Sequence, residues 1–201
     1  MFRFAFLFVL VLLSATASAA PTILIFGDSL SAGLGIAVEQ SWPALLAQRL
    51  AAEKSPYQVA NASISGETTA GGLARLPEAL DRFQPAVVVI ALGANDGLRG
   101  QPVAQMRANL AAMAHAALAR HARVLIVGMK LPPNYGPDYS TYFEQAYRGA
   151  ARQEKTALLP FLLEPIAFDG GAFQPDGLHP TAAAQPKILD HVWRALRPLL
   201  K

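Results

Sequence analysis

Between Ala86 and Leu92 the chain reads Ala-Val-Val-Val-Ile-Ala-Leu, apolar at every position. A run of this length with no alternation, rich in β-branched residues, is a strand buried on both faces. Such a strand needs a covering layer on each side, and helices are the usual cover. Thr22 to Phe26, bounded by Pro21 and Gly27, is a second run of this kind, and Arg123 to Gly128 is a third. Tyr57–Ala60 and Leu158–Phe161 read as two shorter strands. Helical patterns lie between them. One starts near Ser41 and carries Trp42, Leu45, Leu46 and Leu50; another runs from Thr69 to Phe83, where Pro77 is expected to interrupt it. Further helices are expected from Val103 to His121 and from Tyr139 to Lys155. Pro186 suits the first turn of a last helix, with Ile188, Leu189, Val192, Leu196 and Leu199 facing inward. Lys130 to Asp138 and Leu162 to Gly177 read as loops.

Strands that alternate with helices imply an α/β fold with one parallel sheet. The expected architecture is a three-layer α/β/α sandwich with a flavodoxin-like five-stranded parallel sheet. An eight-stranded barrel needs ~250 residues. The chain has 201 residues, of which about 180 follow its first segment.

That segment has the form of a secretory signal. Met1 to Arg3 gives a positive start, Phe4 to Leu13 an apolar core, and Ser14 to Ala20 a small-residue tail containing Ala17-Ser18-Ala19. The apolar core is half the ~20 residues a membrane-spanning helix requires. Cleavage after Ala19 or Ala20 is therefore expected, with one domain spanning 21–201. Loss of Arg3 lowers the side-chain net charge from +3 to +2. So small a charge, on scattered basic residues, does not point to nucleic acid. The chain has no cysteine, hence no disulfide and no lipid-modified cysteine. The expectation is a monomer without a membrane anchor, periplasmic or secreted.

In an open α/β sheet, ligands bind beyond the carboxyl ends of the strands. The first strand delivers Gly27-Asp28-Ser29, the second a loop carrying Gly66, the third Asn95, and the last long loop Asp176-Gly177-Leu178-His179. A serine hydroxyl attacks only when a base takes its proton, and His179 can do so. The imidazole needs a carboxylate on its other nitrogen, and Asp176 can fold back to it across the Gly177 turn. Backbone N–H groups of Ser29 and Gly66, with the Asn95 amide, can hold the oxyanion that forms. Asp28 reads as a brace for the nucleophile loop. Each piece also has a plain reading as turn or cap chemistry: Gly-Asp-Ser, Gly66, Asn95-Asp96-Gly97 and Asp176-Gly177. His115, His121 and His191 read as ordinary helical residues. No H-E-x-x-H, P-loop or dinucleotide glycine pattern is present, so no metal and no cofactor is expected.

Taken in order, Gly27-Asp28-Ser29-Leu30, Gly66, Gly93-x-Asn95-Asp96 and Asp176-x-x-His179 resemble the four blocks of the SGNH, or GDSL, hydrolases. The surrounding text is similar to one branch, the bacterial periplasmic thioesterase I/protease I/lysophospholipase group, also called arylesterases. The segments that carry this are Ile25–Gly33, Asn61–Thr69, Gly72–Pro77, Gly93–Gly100, Leu131–Gly136 and Asp176–Pro180. The resemblance implies a Ser29, Asp176, His179 triad with Ser29, Gly66 and Asn95 lining an oxyanion hole. It also implies a small-molecule acyl ester or thioester substrate: aryl esters, acyl-CoA or lysophospholipid.

Two rivals remain at this point. One is a carbohydrate O-acetyl esterase; the other is a non-catalytic binding module, whose mark would be a missing nucleophile or base. Leu131, Pro132, Pro133 and Tyr135 are apolar or amphipathic where a connector is usually polar. They are expected to cover an acyl chain, aided by Leu76 and a Gly71-Gly72 hinge, unless they pack on the helix below.

Overall fold

The computed structural model describes residues 20–200. The expected signal segment, apart from Ala20, lies outside the described residues. Five parallel strands form one sheet: β1 (Thr22–Gly27), β2 (Gln58–Asn61), β3 (Val87–Ala91), β4 (Arg123–Val127) and β5 (Ala157–Leu159), in the order β2-β1-β3-β4-β5. This is the expected flavodoxin-like order. Ile23 pairs with Val59 on one side and with Val87 on the other, so β1 sits where the winding reverses.

The unbroken apolar runs follow from that position. Alternate residues of a strand face opposite sides, and here both sides are covered. Ile23, Ile25, Val87, Val89, Leu125 and Val127 join one core with α2 (Trp42–Ala52) and α7 (Gln185–Leu196). Leu24, Phe26, Val88, Ile90, Val124 and Ile126 join the other, against α3 (Thr69–Phe83), α5 (Val103–Ala119) and α6 (Pro137–Glu154). Two short helices complete the set: α1 (Ser29–Ala32) and α4 (Ala94–Leu98).

The structure departs from the expected pattern at several points. Helix α3 runs through Pro77 without a break. Pro77 lies on the exposed side of α3, so its ring meets no core residue, while Leu76, Ala79 and Leu80 anchor the buried face. Asn95 to Gly97 form part of the short helix α4, not the turn of their plain alternative reading. His121 lies just past α5 with φ 61°, not within the helix. Leu76 is fully buried, and Gly71 and Gly72 lie inside α3, so neither a substrate-facing Leu76 nor a hinge exists there.

Candidate active site

Ser29 is the first residue of α1, directly past the carboxyl end of β1. The preceding Asp28 caps this helix, its Oδ1 accepting from the Leu30 N–H at 3.0 Å. It is almost wholly buried, and burial pushes its carboxyl up to about 6, opposed by the Leu30 N–H and by the charge of His179. The expected brace is thus present, and it is also a buried acid beside the candidate nucleophile.

His179 comes from the loop ahead of α7. Its Nε2 lies 2.8 Å from Ser29 Oγ and its Nδ1 2.7 Å from Asp176 Oδ2. A carboxylate accepts only, so Nδ1 carries the proton and the Nε2 lone pair faces the serine hydroxyl. Asp176 folds back as its spacing suggested: Oδ1 accepts the N–H groups of Leu178 at 2.9 Å and His179 at 3.0 Å. The His179 N–H, the His179 ring and the Leu178 N–H hold its carboxyl down at about 2. Asp176 therefore remains a carboxylate at any ordinary working pH.

Asn95 rides on α4, past the end of β3. Its Nδ2 donates to the Glu67 carbonyl at 3.0 Å and lies 3.5 Å from Asp28 Oδ2. One amide hydrogen is thus spent on Glu67, while the other faces the Asp28 carboxylate, one residue before Ser29. Glu67 is itself held, its Oε2 accepting from Arg75 Nε at 3.0 Å. Gly66 has φ +79°, a left-handed conformation that suits glycine, and its carbonyl accepts from Arg99 Nη2 at 3.0 Å. Among the described residues, neither the Ser29 nor the Gly66 N–H donates to a backbone carbonyl. Ser29, Asp176 and His179 are in direct contact, and Asn95 links the Asp28 and Glu67 neighbours of Ser29 and Gly66.

Below this lies a network that the sequence did not disclose. Asp96 accepts from Thr69 N at 2.9 Å and from Thr69 Oγ1 at 2.5 Å. Asn109 Nδ2 donates to Thr69 Oγ1 at 3.0 Å, and Gln105 Nε2 donates to Asn109 Oδ1 at 2.8 Å. The chain joins α3, α4 and α5. His115 pairs with Glu154 at 3.2 Å, and His191 Nε2 lies 3.0 Å from the Phe161 carbonyl, so both have local partners away from Ser29. Among the described residues no group of three or more His, Cys, Asp or Glu is placed to hold a metal ion. No described helix is long and apolar enough to cross a membrane.

The model of the GDSL-like lipase/acylhydrolase family matches residues 25–185. The chain belongs to this family. As a GDSL-like acylhydrolase it is 56% identical to Esterase TesA of Pseudomonas aeruginosa over 183 residues, 91% of each chain. It is 43% identical to the thioesterase 1/protease 1/lysophospholipase L1 of Escherichia coli K12 over 184 residues, 92% of this chain and 87% of that one. Among solved structures it resembles the psychrotrophic esterase EstA of Pseudoalteromonas sp., a structure inhibited by monoethylphosphonate. There the TM-score is 0.86 at 41% identity, covering 89% of this chain and 98% of that one. The resemblance read from the four sequence blocks holds, and the family match rules against a non-catalytic module.

Proposed function

We propose that the protein is an exported serine esterase and thioesterase that works through an acyl-enzyme intermediate at Ser29. The observation that carries this is the continuous relay from Ser29 Oγ through His179 to Asp176, at 2.8 and 2.7 Å. In the first half-reaction His179 Nε2 takes the hydroxyl proton as Ser29 Oγ bonds to the acyl carbon. The carbonyl oxygen becomes an oxyanion held by the Ser29 and Gly66 N–H groups and the Asn95 amide. His179 then gives its proton to the departing alcohol or thiol, and the acyl group stays on Ser29. Water attacks the acyl-enzyme with His179 again as base, releasing the acid and restoring the hydroxyl. Asp176 keeps its charge throughout and stabilises the imidazolium that forms twice in each turnover.

The substrate class follows from the relatives, named as an esterase and as a thioesterase 1/protease 1/lysophospholipase L1. Export to the periplasm or the medium rests on the form of residues 1–20. No cofactor enters the proposed chemistry.

The test is hydrolysis of p-nitrophenyl esters of graded length beside palmitoyl-CoA and an acetylated sugar. Ester and thioester turnover should exceed sugar deacetylation and survive EDTA. Ser29→Ala should lower kcat on the order of 10⁵–10⁶-fold without changing the fold. A variant retaining a tenth of the activity would show that the nucleophile lies elsewhere.

A further inference from the structure

The loop that carries Asp176 and His179 is a small hairpin with an exposed tip. Phe173 and Pro180 form an isolated antiparallel bridge, and Gln174 N donates to the His179 carbonyl at 2.8 Å. Thr181 N donates to the Ala172 carbonyl at 2.8 Å. These bonds set the shape of the hairpin, but they do not place it over Ser29. Ala172 and Pro180 at its base are buried, but Asp176, Gly177 and Leu178 at its tip are exposed, so the tip depends on hydrogen bonds more than on packing.

One side chain makes the connection. Gln174 Nε2 donates to the Leu34 carbonyl at 2.8 Å and to the Pro180 carbonyl at 3.0 Å. Both neighbours are carbonyl oxygens, so the nitrogen end of the amide must face them. Leu34 closes the turn that Ser29 opens: Gly33 N and Leu34 N donate to the Ser29 carbonyl at 3.1 and 3.2 Å. Pro180 is the residue after His179. A single amide therefore joins the backbone of the nucleophile's turn to the backbone of the base. The space for it comes from Gly35, with φ +78°, where an added Cβ would stand 2.1 Å from Gln174 Oε1.

We propose that Gln174 is a positioning residue that sets the reach from His179 Nε2 to Ser29 Oγ. The proposal rests on the serine-hydrolase reading above. That contact joins residues 150 apart in the chain, and the amide is a hydrogen-bonded strap across the same gap. Gln174 touches no reacting atom; it acts through the two loops that it ties. A displacement of about 1 Å at a base can cost about 10²-fold in rate.

Three variants separate this role from a general contribution to folding. Gln174→Met keeps the length of the side chain and removes both donors. Gly35→Ala crowds the amide from the other loop and also strains the backbone at φ +78°, so its kcat per site is read beside its melting temperature. Gln174→Glu keeps the shape but turns an acceptor toward two carbonyl oxygens, and it regains one donor only when protonated. Each is titrated to completion with a phosphonate ester, so that turnover is expressed per reactive serine, and is unfolded thermally. Gln174→Met should titrate fully and melt within a few degrees of wild type. Its kcat per site should fall roughly 10–100-fold with KM within about 2-fold. Gly35→Ala should fall in the same direction. Gln174→Glu should gain on Gln174→Met as the pH drops below about 5, where its carboxyl protonates. Unchanged kcat per site in Gln174→Met overturns the proposal, as does a loss matched by a lower titre and a lower melting temperature. Residual activity in Ser29→Ala would remove the underlying reading instead, whatever Gln174 does.

Discussion

Asp28 is the residue whose environment is least ordinary. It is 2% exposed, one position before Ser29, and its carboxyl is pushed from 3.8 up to about 6. The folded protein thus holds this proton more tightly than the unfolded chain between those values. Stability from Asp28 is fully present below about 4 and is lost as the pH rises through about 6. Burial of the charge costs on the order of 3 kcal/mol at neutral pH. What the ionised form supplies there is a negative charge facing His179, in addition to that of Asp176. In Asp28→Asn the amide oxygen can still accept from Leu30 N, so the helix cap survives without the charge. Urea unfolding should show this variant gaining about 1–3 kcal/mol on wild type at pH ~7.5 relative to pH ~4.5. An equal difference at both pH values would place the titration elsewhere. Asp176 behaves in the opposite sense. With its carboxyl at about 2, its stabilising charge is present above the ordinary carboxylate range and is lost only as the pH falls through about 2.

At the scale of elements, the short helix α4 has five residues and cannot stand alone. Its neighbours hold it in place. Asp96 ties it to Thr69, and Gly97 lies against Phe143 and Leu131. The Tyr135 hydroxyl donates to the Leu98 carbonyl at 2.9 Å, and the single hydrogen of the Tyr139 hydroxyl is shared between the carbonyls of Gln101 at 3.1 Å and Gly97 at 3.3 Å. The segment from Lys130 onward is therefore a buttress for the helix that carries Asn95. Of the two readings of this segment, cover for an acyl chain or packing on a helix, these contacts support the second. Exposed apolar side chains also sit on the segments that carry the relay: Leu178 precedes His179, Leu34 N donates to the Ser29 carbonyl and Ile64 N to the Gly27 carbonyl. Joint replacement of Tyr135 and Tyr139 by Phe should cost about 1 kcal/mol of stability for each hydroxyl. It should also lower kcat several-fold on acetyl and long-chain p-nitrophenyl esters alike, because Asn95 loosens for both. A loss confined to the long esters would show that the segment reads the chain.

For the molecule as a whole, what could be read in advance depended on how local its cause was. The strands of the central sheet were legible because two-sided burial leaves unbroken apolar runs, as in Val87–Ala91. The contact of Ser29, His179 and Asp176 was legible because Ser29 follows a strand and the other two sit in one short motif. Gln174 was not, since its partner Leu34 is 140 positions away and a surface glutamine carries no local signal. Helices α1 and α4 are too short for any periodicity, and Pro77 misled because tertiary packing outweighs one missing hydrogen bond. The amino terminus is the part where sequence and packing can be set against each other. Ala20 is exposed, whereas Ile23, Leu24, Ile25 and Phe26 in β1 are fully buried. Each of those side chains contributes about 1.5–3 kcal/mol, against a total stability of about 5–15 kcal/mol. Pro21 also accepts from Gln58 N at 3.0 Å, where β2 begins its pairing with β1. A chain beginning at Pro21 should match the full-length protein in melting temperature and kcat/KM. One beginning at Ile25 loses Ile23 and Leu24 from the two cores and should accumulate insoluble. If residues 1–20 are an export signal, intact mass of the protein recovered from the periplasm or medium should show a start at Ala20 or Pro21. A full-length mass found only in the cytoplasm would overturn export while leaving the truncation result standing.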